Sequence, residues 1–371
     1  MKNNLYYLGA KARTANKFSI DTKTKNKVLN KYSQLIKKNN KFIIKENNKD
    51  IKFAYKKNKK KNLIDRLKLN KKKLESICLS IKKISKLKDP VNIVLDKWKR
   101  PNGLFIEKVS IPIGVIGIVY ESRPNVTSDV SSLCFKSGNA IILRGGSESI
   151  YSNTFLGELI TQSLKETGFP SSSVQIIITT DREAVNKLIT MHEYVDVIIP
   201  RGGKSLIKKI SDDAKIPVIK HLDGNCHIYV DEFADISEAV KIVDNAKTQR
   251  LGTCNTLESL VISSKIAKNF LPKIKKIFDS KKIEIRGCAN TKKIIPSIEL
   301  AKEEDFYKEY LGPIISCIIT ESFEGAIQHI NKYSSKHTES IITKNQENSN
   351  KFIREIDSSS VMVNASTRFA D

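Results

Sequence analysis

Short apolar segments alternate with helix-forming segments between residues 111 and 213, and this alternation constrains the fold more than any other feature. The apolar segments have the length of buried strands, and the segments between them carry apolar side chains at helical spacing. The predicted strands are 111–120, 140–143, 174–178 and 195–199, and the predicted helices are 126–137, 148–167, 181–190 and 204–213. Since strands that alternate with helices form a mostly parallel sheet covered on both faces, we predict an α/β domain here.

A second α/β unit is predicted after residues 247–250. Its strands are expected near 258–262, 314–319, 339–343 and 360–363, with helices between them. The segment 287–310 has no regular pattern. Before the first unit, residues 5–90 have the apolar spacing of helices, and 93–109 has the pattern of two strands with a turn at 101–103. The chain is therefore predicted to hold two α/β units behind an N-terminal helical layer.

Polar loops follow three of the predicted strands. They are Glu121-Ser122-Arg123-Pro124-Asn125, Arg144-Gly145-Gly146-Ser147-Glu148 and Pro200-Arg201-Gly202-Gly203. Because ligands of such sheets bind at the carboxyl ends of the strands, these loops predict a site for an anionic ligand. Gly202 and Gly203 open a helix whose N-terminus favours phosphate, although a plain tight turn explains them equally well. A P-loop is excluded, because its first glycine would fall at Ile198.

The basic charge of the chain is concentrated in its first hundred residues. The net charge is +25, and residues 1–100 hold 31 Lys and Arg against 7 Asp and Glu, which is a net of +24. Such a surface can bind phosphate backbones. We favour ordinary solvation of helix surfaces, because 28 of the 31 are lysines and only three are arginines, the usual readers of base edges. A nucleic-acid partner is therefore not expected, even at the densest lysine run, residues 56–62.

Six cysteines are scattered without a Cys-x-x-Cys pair, which argues against a disulfide scaffold or zinc ribbon and favours a reducing cytoplasm. Five dispersed histidines complete no metal-ligand spacing, so no metal is predicted. Basic and amide residues near Cys254 favour a thiolate there, although a lone cysteine is more often a buried apolar residue. They are Lys247, Arg250 and Asn255. Cys226 begins an apolar strand and is predicted to lie in the core. No apolar run has the length of a membrane span, and the N-terminus lacks the apolar core of a secretion signal.

Six blocks of sequence carry a resemblance to a known family. They are residues 112–127, 136–140, 143–148, 199–203, 245–256 and 363–369. In order and spacing they resemble the γ-glutamyl phosphate reductases (glutamate-5-semialdehyde dehydrogenases), a branch of the aldehyde dehydrogenase superfamily. The resemblance covers the whole chain. It implies an aldehyde-dehydrogenase-like α/β fold, with two three-layer domains, mostly parallel sheets and an N-terminal helical layer.

The resemblance also implies a division of the chain into functional parts. Residues 1–92 would form the helical layer of the cofactor domain, and 93–109 the strand pair of an oligomerisation arm. Residues 110–246 would form the NADP-binding domain and 247–371 the catalytic domain.

The implied reaction is the reduction of L-glutamyl 5-phosphate by NADPH to L-glutamate 5-semialdehyde and phosphate, in proline biosynthesis. Cys254 occupies the family's nucleophile position, where a thiolate displaces phosphate and forms a thioester that accepts hydride. The Cys254 backbone N–H and the Asn125 side chain match the superfamily's oxyanion donors. The alternative for Asn125 is a helix cap after Pro124. The resemblance further implies a cytoplasmic enzyme, without a membrane partner, that has a functional link to glutamate 5-kinase.

The remaining site residues are also assigned by resemblance. The loop Arg144, Gly145, Gly146, Ser147 and Glu148 would meet the adenosine ribose and phosphate, with Glu148 at the ribose, and Pro200, Arg201, Gly202 and Gly203 would approach the pyrophosphate. Glu309 resembles the glutamate that holds the nicotinamide ribose, with a solvated loop carboxylate as the alternative. The candidates for the substrate's carboxylate and phosphate are Arg123, Arg250, Ser366, Thr367 and Arg368, since arginine can bond two oxygens at once.

The sequence departs from the family pattern at two points. Leu251 stands where a proline commonly follows the Gln-Arg pair, and the sequence ends at Asp371, before the family's C-terminal loop and oligomerisation strand. Since 93–109 is the expected partner of that strand, we expect an unpaired, apolar edge, which argues against the homo-oligomer of relatives. Three alternatives stay open: an inactive, truncated remnant, an enzyme for another small aldehyde, and nucleic-acid binding by the basic layer.

Overall fold

The computed structural model describes residues 2–18, 20–59, 61–121, 123–220 and 223–370. Ser122 of the first polar loop and Lys60 of the lysine run therefore lie outside the described residues. The chain divides into two compact units, Met1–Lys220 and His221–Asp371. None of the described helices is both long and apolar enough to cross a membrane.

The described part of the N-terminal region forms five helices, which confirms the helical interpretation of residues 5–90. They are α1 (Lys2–Asn16), α2 (Thr22–Lys38), α3 (Asn40–Lys56), α4 (Lys61–Leu67) and α5 (Lys71–Lys86). Side-chain caps start two of them, because Asp21 accepts from the Thr24 N–H and Asn70 from the Lys73 N–H. The apolar faces of α2 and α5 are buried, so their many lysines lie mainly on the solvent side.

An exposed antiparallel pair, β1 (Val94–Lys99) and β2 (Phe105–Val109), confirms the two strands predicted over 93–109. Gly103 in the connecting turn has a φ of 87°, which glycine adopts without strain. Trp98 and Phe105 remain 40% and 62% exposed. The pair therefore carries apolar side chains on its surface, and its role as an oligomerisation arm stays a prediction.

The described part of the first unit contains a four-stranded parallel sheet of order β5-β4-β3-β6. Its strands are β3 (Val115–Tyr120), β4 (Ala140–Gly145), β5 (Val174–Ile176) and β6 (Val197–Arg201). The connecting helices are α6 (Pro124–Lys136), α7 (Ile150–Glu166), α8 (Glu183–Leu188) and α9 (Lys204–Asp213).

Alternating side chains of β3 build the two cores on either face of this sheet. Ile116 and Ile118 pack with α2, α5 and α7, whereas Val115 and Val119 pack with α1 and α8. Helices thus cover both faces, as predicted. The strand itself is shorter than the predicted 111–120, because Pro112 lacks an N–H and Gly114 has a φ of 130°, so regular pairing starts at Val115.

The described part of the second unit contains a seven-stranded parallel sheet of order β10-β9-β11-β8-β7-β12-β13. The strands are β7 (Cys226–Val230), β8 (Leu257–Ser263), β9 (Glu284–Gly287), β10 (Glu299–Leu300), β11 (Ile314–Thr320), β12 (Thr338–Ile342) and β13 (Ser360–Val363). The helices are α10 (Ile236–Thr248), α11 (Ser264–Ser280), α12 (Ala289–Ile294), α13 (Glu303–Phe306), α14 (Phe323–Tyr333) and α15 (Gln346–Glu355). α10 and α11 pack on one face and α14 and α15 on the other. The α/β class with two three-layer units is therefore confirmed.

Two expectations for the second unit need correction. We placed the domain boundary between residues 246 and 247, but the second unit begins at His221, because β7 pairs with β8 and β12 inside its sheet. We also expected 287–310 to be irregular, but it holds α12, β10 and α13. These elements are short and show too few residues for a period to be visible in the sequence.

Candidate active site

A cleft of about 340 Å³ opens in the first unit at the carboxyl ends of β3 and β4. Two of the three predicted loops reach it. The first contributes Glu121, and the second contributes Arg144, Gly146, Ser147 and Glu148. The third loop, 200–203, does not line the cleft. Residues of α9, the helix that follows this loop, line that side of the cleft instead.

Arg144 provides an unused donor in this cleft. The residue is only 9% exposed, its Nη1 donates to the Gly145 carbonyl at 3.0 Å, and its Nη2 to the Thr180 carbonyl at 3.4 Å. Its buried Nε has no hydrogen-bond partner among the described residues. Since an unsatisfied buried donor is costly, a ligand oxygen there would be stabilising. The cleft therefore fits the anionic parts of NAD(P).

Glu148 lies in the short 3₁₀ turn Ser147–Ser149 that leads into α7. Its Oε1 accepts from Lys59 Nζ at 2.9 Å, so the predicted ribose-binding carboxylate is already paired with the N-terminal layer. Partial burial is the largest single effect on the pKa of Glu148 and acts to raise it. The hydrogen bond and charge of Lys59, together with hydrogen bonds from Ser147 and the Glu148 backbone, outweigh burial and hold that pKa below its usual value. Nothing in the local sequence links the two residues, which lie 89 positions apart.

The glycines predicted near the pyrophosphate already contact a carboxylate. The Gly203 N–H donates to Glu121 Oε2 at 2.9 Å, and α9 begins at the next residue. A Cβ on Gly202 would lie 2.8 Å from Glu121 Cδ. Pro200 and Arg201 end β6 just before this turn. A pyrophosphate at this helix start would have to displace Glu121, a residue that sequence reasoning did not single out.

Asn125 lies within α6 and does not cap it. The N-cap residue is the exposed Arg123, and Asn125 Nδ2 donates to Asp129 Oδ2 at 3.0 Å. The alternative of a helix cap is therefore wrong. The role of Asn125 as an oxyanion donor and that of Arg123 in substrate binding stay predictions.

In the second unit, Cys254 lies on a compact loop between α10 and β8. Thr256 closes this loop, because its N–H donates to the Thr253 carbonyl at 3.0 Å and its Oγ1 to the Arg250 carbonyl at 2.7 Å. Thr253 and Thr256 also share a hydroxyl–hydroxyl hydrogen bond of 2.9 Å. Cys254 is partly exposed, as a thiol that must meet a substrate requires.

The carbonyl oxygen of Cys254 lies against Gly224, just before β7, and Cys226, at the start of β7. Cys226 Sγ donates to this oxygen at 3.2 Å, and a Cβ on Gly224 would stand only 1.7 Å from it. The Gly224 N–H in turn donates to Glu309 Oε1 at 2.9 Å. Glu309 is thus partly buried and accepts a specific hydrogen bond. The alternative of a solvated loop carboxylate is therefore wrong. Gly224 is a residue that the sequence analysis missed, since the contact is not local.

Other thiols are less suited to nucleophilic chemistry. Burial raises the pKa of Cys134 and of Cys317 to about 12, and that of Cys226 well above its usual value. Cys226 lies in β7 with every residue of the strand buried, which confirms its predicted place in the core. A thiol held protonated by burial is a poor nucleophile. Cys254 is therefore a stronger candidate than these three thiols.

A fully buried ion pair joins the two ends of the Cys254 loop. Lys247 at the end of α10 donates from Nζ to Glu258 Oε2 in β8 at 2.6 Å, and both side chains are inaccessible to solvent. The Leu311 N–H donates to the other oxygen, Oε1, at 3.1 Å. Burial raises the pKa of Glu258 to about 7 and lowers that of Lys247.

Replacing Lys247 by methionine should cause a pH-dependent loss of stability. Without its counterion, Glu258 in the folded protein holds its proton more tightly than in the unfolded chain, where the carboxyl titrates near 4.5. The stability from this group is therefore present below that pH and lost as the pH rises. We expect the free energy of unfolding to fall by about 3–5 kcal/mol at about pH 8 and by much less at about pH 5, in urea titrations.

The double variant Lys247→Met/Glu258→Gln is the control for this prediction. It removes the buried charge together with its partner, so it should recover most of the loss at the higher pH. A deficit of equal size at both pH values would show that packing, not charge, is responsible.

Arg368 is the predicted substrate-binding residue that the structure brings to the Cys254 loop. Its Nη1 donates to Thr253 Oγ1 at 2.8 Å and its Nε to Gln249 Oε1 at 3.0 Å. Arg368 and Ser366 line a second cleft of about 400 Å³ within this unit. Thr367 is fully buried, and Arg250 is exposed and lines neither cleft.

A model of the aldehyde dehydrogenase family matches residues 9–299 and 296–371. Members of this family are oxidoreductases that use NAD(P). The match, together with the two parallel α/β units, defines the class of the protein as an aldehyde dehydrogenase family enzyme.

Named relatives narrow this class. The γ-glutamyl phosphate reductase of Petrotoga mobilis is 49% identical over 359 residues, which is 96% of this chain and 86% of the relative. That of Halothermothrix orenii is 47% identical over 365 residues, or 97% and 87%. The crystal structure of the Thermotoga maritima γ-glutamyl phosphate reductase matches with a TM-score of 0.96 at 45% identity, covering 99% of this chain and 89% of that one. The chain therefore belongs to the γ-glutamyl phosphate reductases of the aldehyde dehydrogenase family.

Proposed function

We propose that this chain reduces L-glutamyl 5-phosphate with NADPH to L-glutamate 5-semialdehyde and phosphate, a step of proline biosynthesis. The observation that carries the proposal is the 47–49% identity to proteins named γ-glutamyl phosphate reductase over nearly the whole chain. The site in the second unit supports the proposal, because its partly exposed cysteine lies on a loop that hydrogen bonds of Thr256 hold in place.

The first proposed step is attack of the Cys254 thiolate on the acyl carbonyl of the substrate. The C–S bond forms, the C–O bond to phosphate breaks, and phosphate leaves with the electron pair, which gives a thioester on Cys254. The carbonyl oxygen carries negative charge on the way, and the Cys254 backbone N–H is the proposed donor to it. Asn125 remains a proposed second donor on the resemblance alone. The hydrogen-bonded Cys254 loop supports this step, because a fixed backbone N–H needs no rearrangement when negative charge develops on the carbonyl oxygen.

The second proposed step regenerates the Cys254 thiolate. When bound, NADPH would supply a hydride to the thioester carbonyl. Hydride addition leaves a tetrahedral oxyanion on Cys254, which collapses: the C=O bond re-forms, the C–S bond breaks, and Cys254 leaves as the thiolate with the free aldehyde as product. In the first unit, the proposed contacts of the cofactor's phosphate and ribose are the loop 145–148 and Arg144, whose Nε has no partner in the described part of the chain.

The cleft beside the Cys254 loop is the proposed place of the substrate's charged groups. Arg368 and Ser366 line it, and Arg368 is already oriented by Thr253 and Gln249. A guanidinium held in one orientation suits a carboxylate or phosphate, since it can donate two parallel hydrogen bonds. Glu309 is the proposed contact of the nicotinamide ribose.

The proposed setting follows from the same chemistry. The substrate is an acyl phosphate, so a kinase that phosphorylates the side chain of glutamate must supply it, and we propose this functional link. We place the reaction in the cytoplasm, where cysteines without disulfide partners are usual.

The reverse reaction tests the proposal. We expect the purified chain to reduce NADP⁺ when glutamate 5-semialdehyde and inorganic phosphate are supplied together, and to lose this turnover when either is omitted. Turnover without phosphate would indicate an ordinary aldehyde oxidation and would contradict the proposal. So would a strict preference for another small aldehyde. A folded sample without any turnover would favour the inactive remnant.

A further inference from the structure

The lysine run at residues 56–62 has no part in the proposed chemistry, yet Lys59 lies beside the cofactor cleft of the first unit. Lys59 Nζ donates to Glu148 Oε1 at 2.9 Å, and Glu148 lines that cleft. We infer that Lys59 binds the 2′-phosphate of NADP(H) and thereby sets the preference for the phosphorylated cofactor. The inference rests on the proposed function, because it names a determinant of the cofactor used there.

A carboxylate in the position of Glu148 by itself selects the cofactor without the extra phosphate. Glu148 follows β4, the strand next to β3, and an acidic side chain at the end of such a second strand accepts from ribose hydroxyls. Its negative charge repels a 2′-phosphate. Lys59 reverses this preference, because its ammonium group neutralises the carboxylate and adds donors of its own.

The exposure of the pair suits this role. The side chain of Lys59 is 37% exposed and that of Glu148 is 16% exposed, so Lys59 is the more accessible side chain of the pair. Glu148 accepts from one of the three N–H donors of Lys59, and the other two can donate to phosphate oxygens. The other charged residues of the cleft leave it cationic. They are Arg144, Arg182 and Lys209 against Glu121.

Lys59 is held in place by the end of α3. Asn58 adopts a φ of 49°, and the Lys59 N–H donates back to the Ala54 carbonyl at 3.1 Å, which closes the helix. The same helix is fixed to the start of α7, because the buried Asp50 carboxylate accepts from the Ser152 N–H at 2.9 Å. The turn that bears Glu148 leads into α7. The contacts between α3 and α7 therefore position both Lys59 and Glu148.

The test measures ligand binding, separately from turnover. The purified chain is titrated calorimetrically with adenosine 2′,5′-bisphosphate and with 5′-AMP. We expect Lys59→Ala to weaken the bisphosphate about tenfold or more, the size of a lost charge-assisted bond, and to leave 5′-AMP within about twofold. Lys59→Arg should keep most of the affinity, since arginine also binds phosphate.

Lys57→Ala is the matched control, because it removes the same charge from the same run. Lys57 lies over the Phe53 ring, with its Nζ 5.9 Å from the ring centre. Retained 5′-AMP binding shows that each variant is folded with an intact cleft. Equal weakening of both ligands by Lys59→Ala, or the same selective loss in Lys57→Ala, would overturn the inference.

A third variant separates contact from neutralisation. If Lys59→Ala/Glu148→Gln binds the bisphosphate as tightly as the wild type, Lys59 only cancels the carboxylate, and the inference is wrong. If the loss persists, Lys59 contacts the phosphate. A chain that binds the bisphosphate through Lys59 but does not turn over the semialdehyde would contradict the proposed function alone.

Discussion

Replacing Cys254 by alanine is expected to abolish the phosphate-dependent reduction of NADP⁺ by glutamate 5-semialdehyde. The variant lacks the sulfur that forms the thioester, and loss of the nucleophile in a covalent mechanism typically lowers the rate by about 10⁴-fold or more. The side chain is small and partly exposed, so the fold should be retained. The measurement is steady-state turnover, together with NADP⁺ binding as a check that the cofactor cleft is intact.

Cys288→Ala serves as the control for this experiment. Cys288 is also partly exposed in the second unit, but its Sγ contacts Thr291 Oγ1 at 3.3 Å, outside the Cys254 loop. We expect this variant to keep near-normal turnover. A Cys254→Ala enzyme with undiminished activity would refute the thioester mechanism.

Replacing Gly224 by alanine should also lower activity substantially, although this residue carries no reactive group. The added Cβ would stand 1.7 Å from the Cys254 carbonyl oxygen and 2.6 Å from its Cα, so the loop must move. Because both sides of this contact are backbone, no flexible side chain can give way. A displacement of about 1 Å can cost about 10²-fold in rate. We expect a loss of that size and about 1–3 kcal/mol of destabilisation, measured by turnover and urea unfolding.

Gly252→Ala is the matched substitution in the same loop. A Cβ at Gly252 meets no atom within 4 Å, so this variant should stay within about 0.5 kcal/mol of the wild type and retain its activity. Wild-type turnover by Gly224→Ala would show that the loop tolerates displacement, and it would remove the argument for a rigid backbone at Cys254.

The sequence predicts much of this architecture because strand and helix periods are local properties. The alternation after residue 111 indicated parallel sheets covered on both faces, and the structure has them. The end of β3 at Tyr120 was predicted correctly, whereas its start was predicted at Ile111 and lies at Val115. Apolar character continues through Ile111 and Ile113, but the backbone at Pro112 and Gly114 prevents regular pairing.

The parts of the candidate site that were missed depend on contacts distant in sequence. Gly224 meets Cys254, Glu121 meets Gly203, and Lys59 meets Glu148, and no pattern of spacing indicates such pairs. The domain boundary was misplaced for a related reason. β7 was recognised as an apolar strand, but only its pairing with β8 and β12 shows to which sheet it belongs.

The order of the strands in the two sheets has a consequence for how the chain matures during synthesis. All strands of the first sheet lie before residue 221, so the ribosome delivers that unit complete and it can fold early. The second sheet is different, because β7 near residue 228 must wait for β12 near residue 340 to cover its open side. Contacts so distant in sequence form slowly. We therefore expect a nascent chain to form the cleft of its first unit well before the loop of Cys254 is held in place.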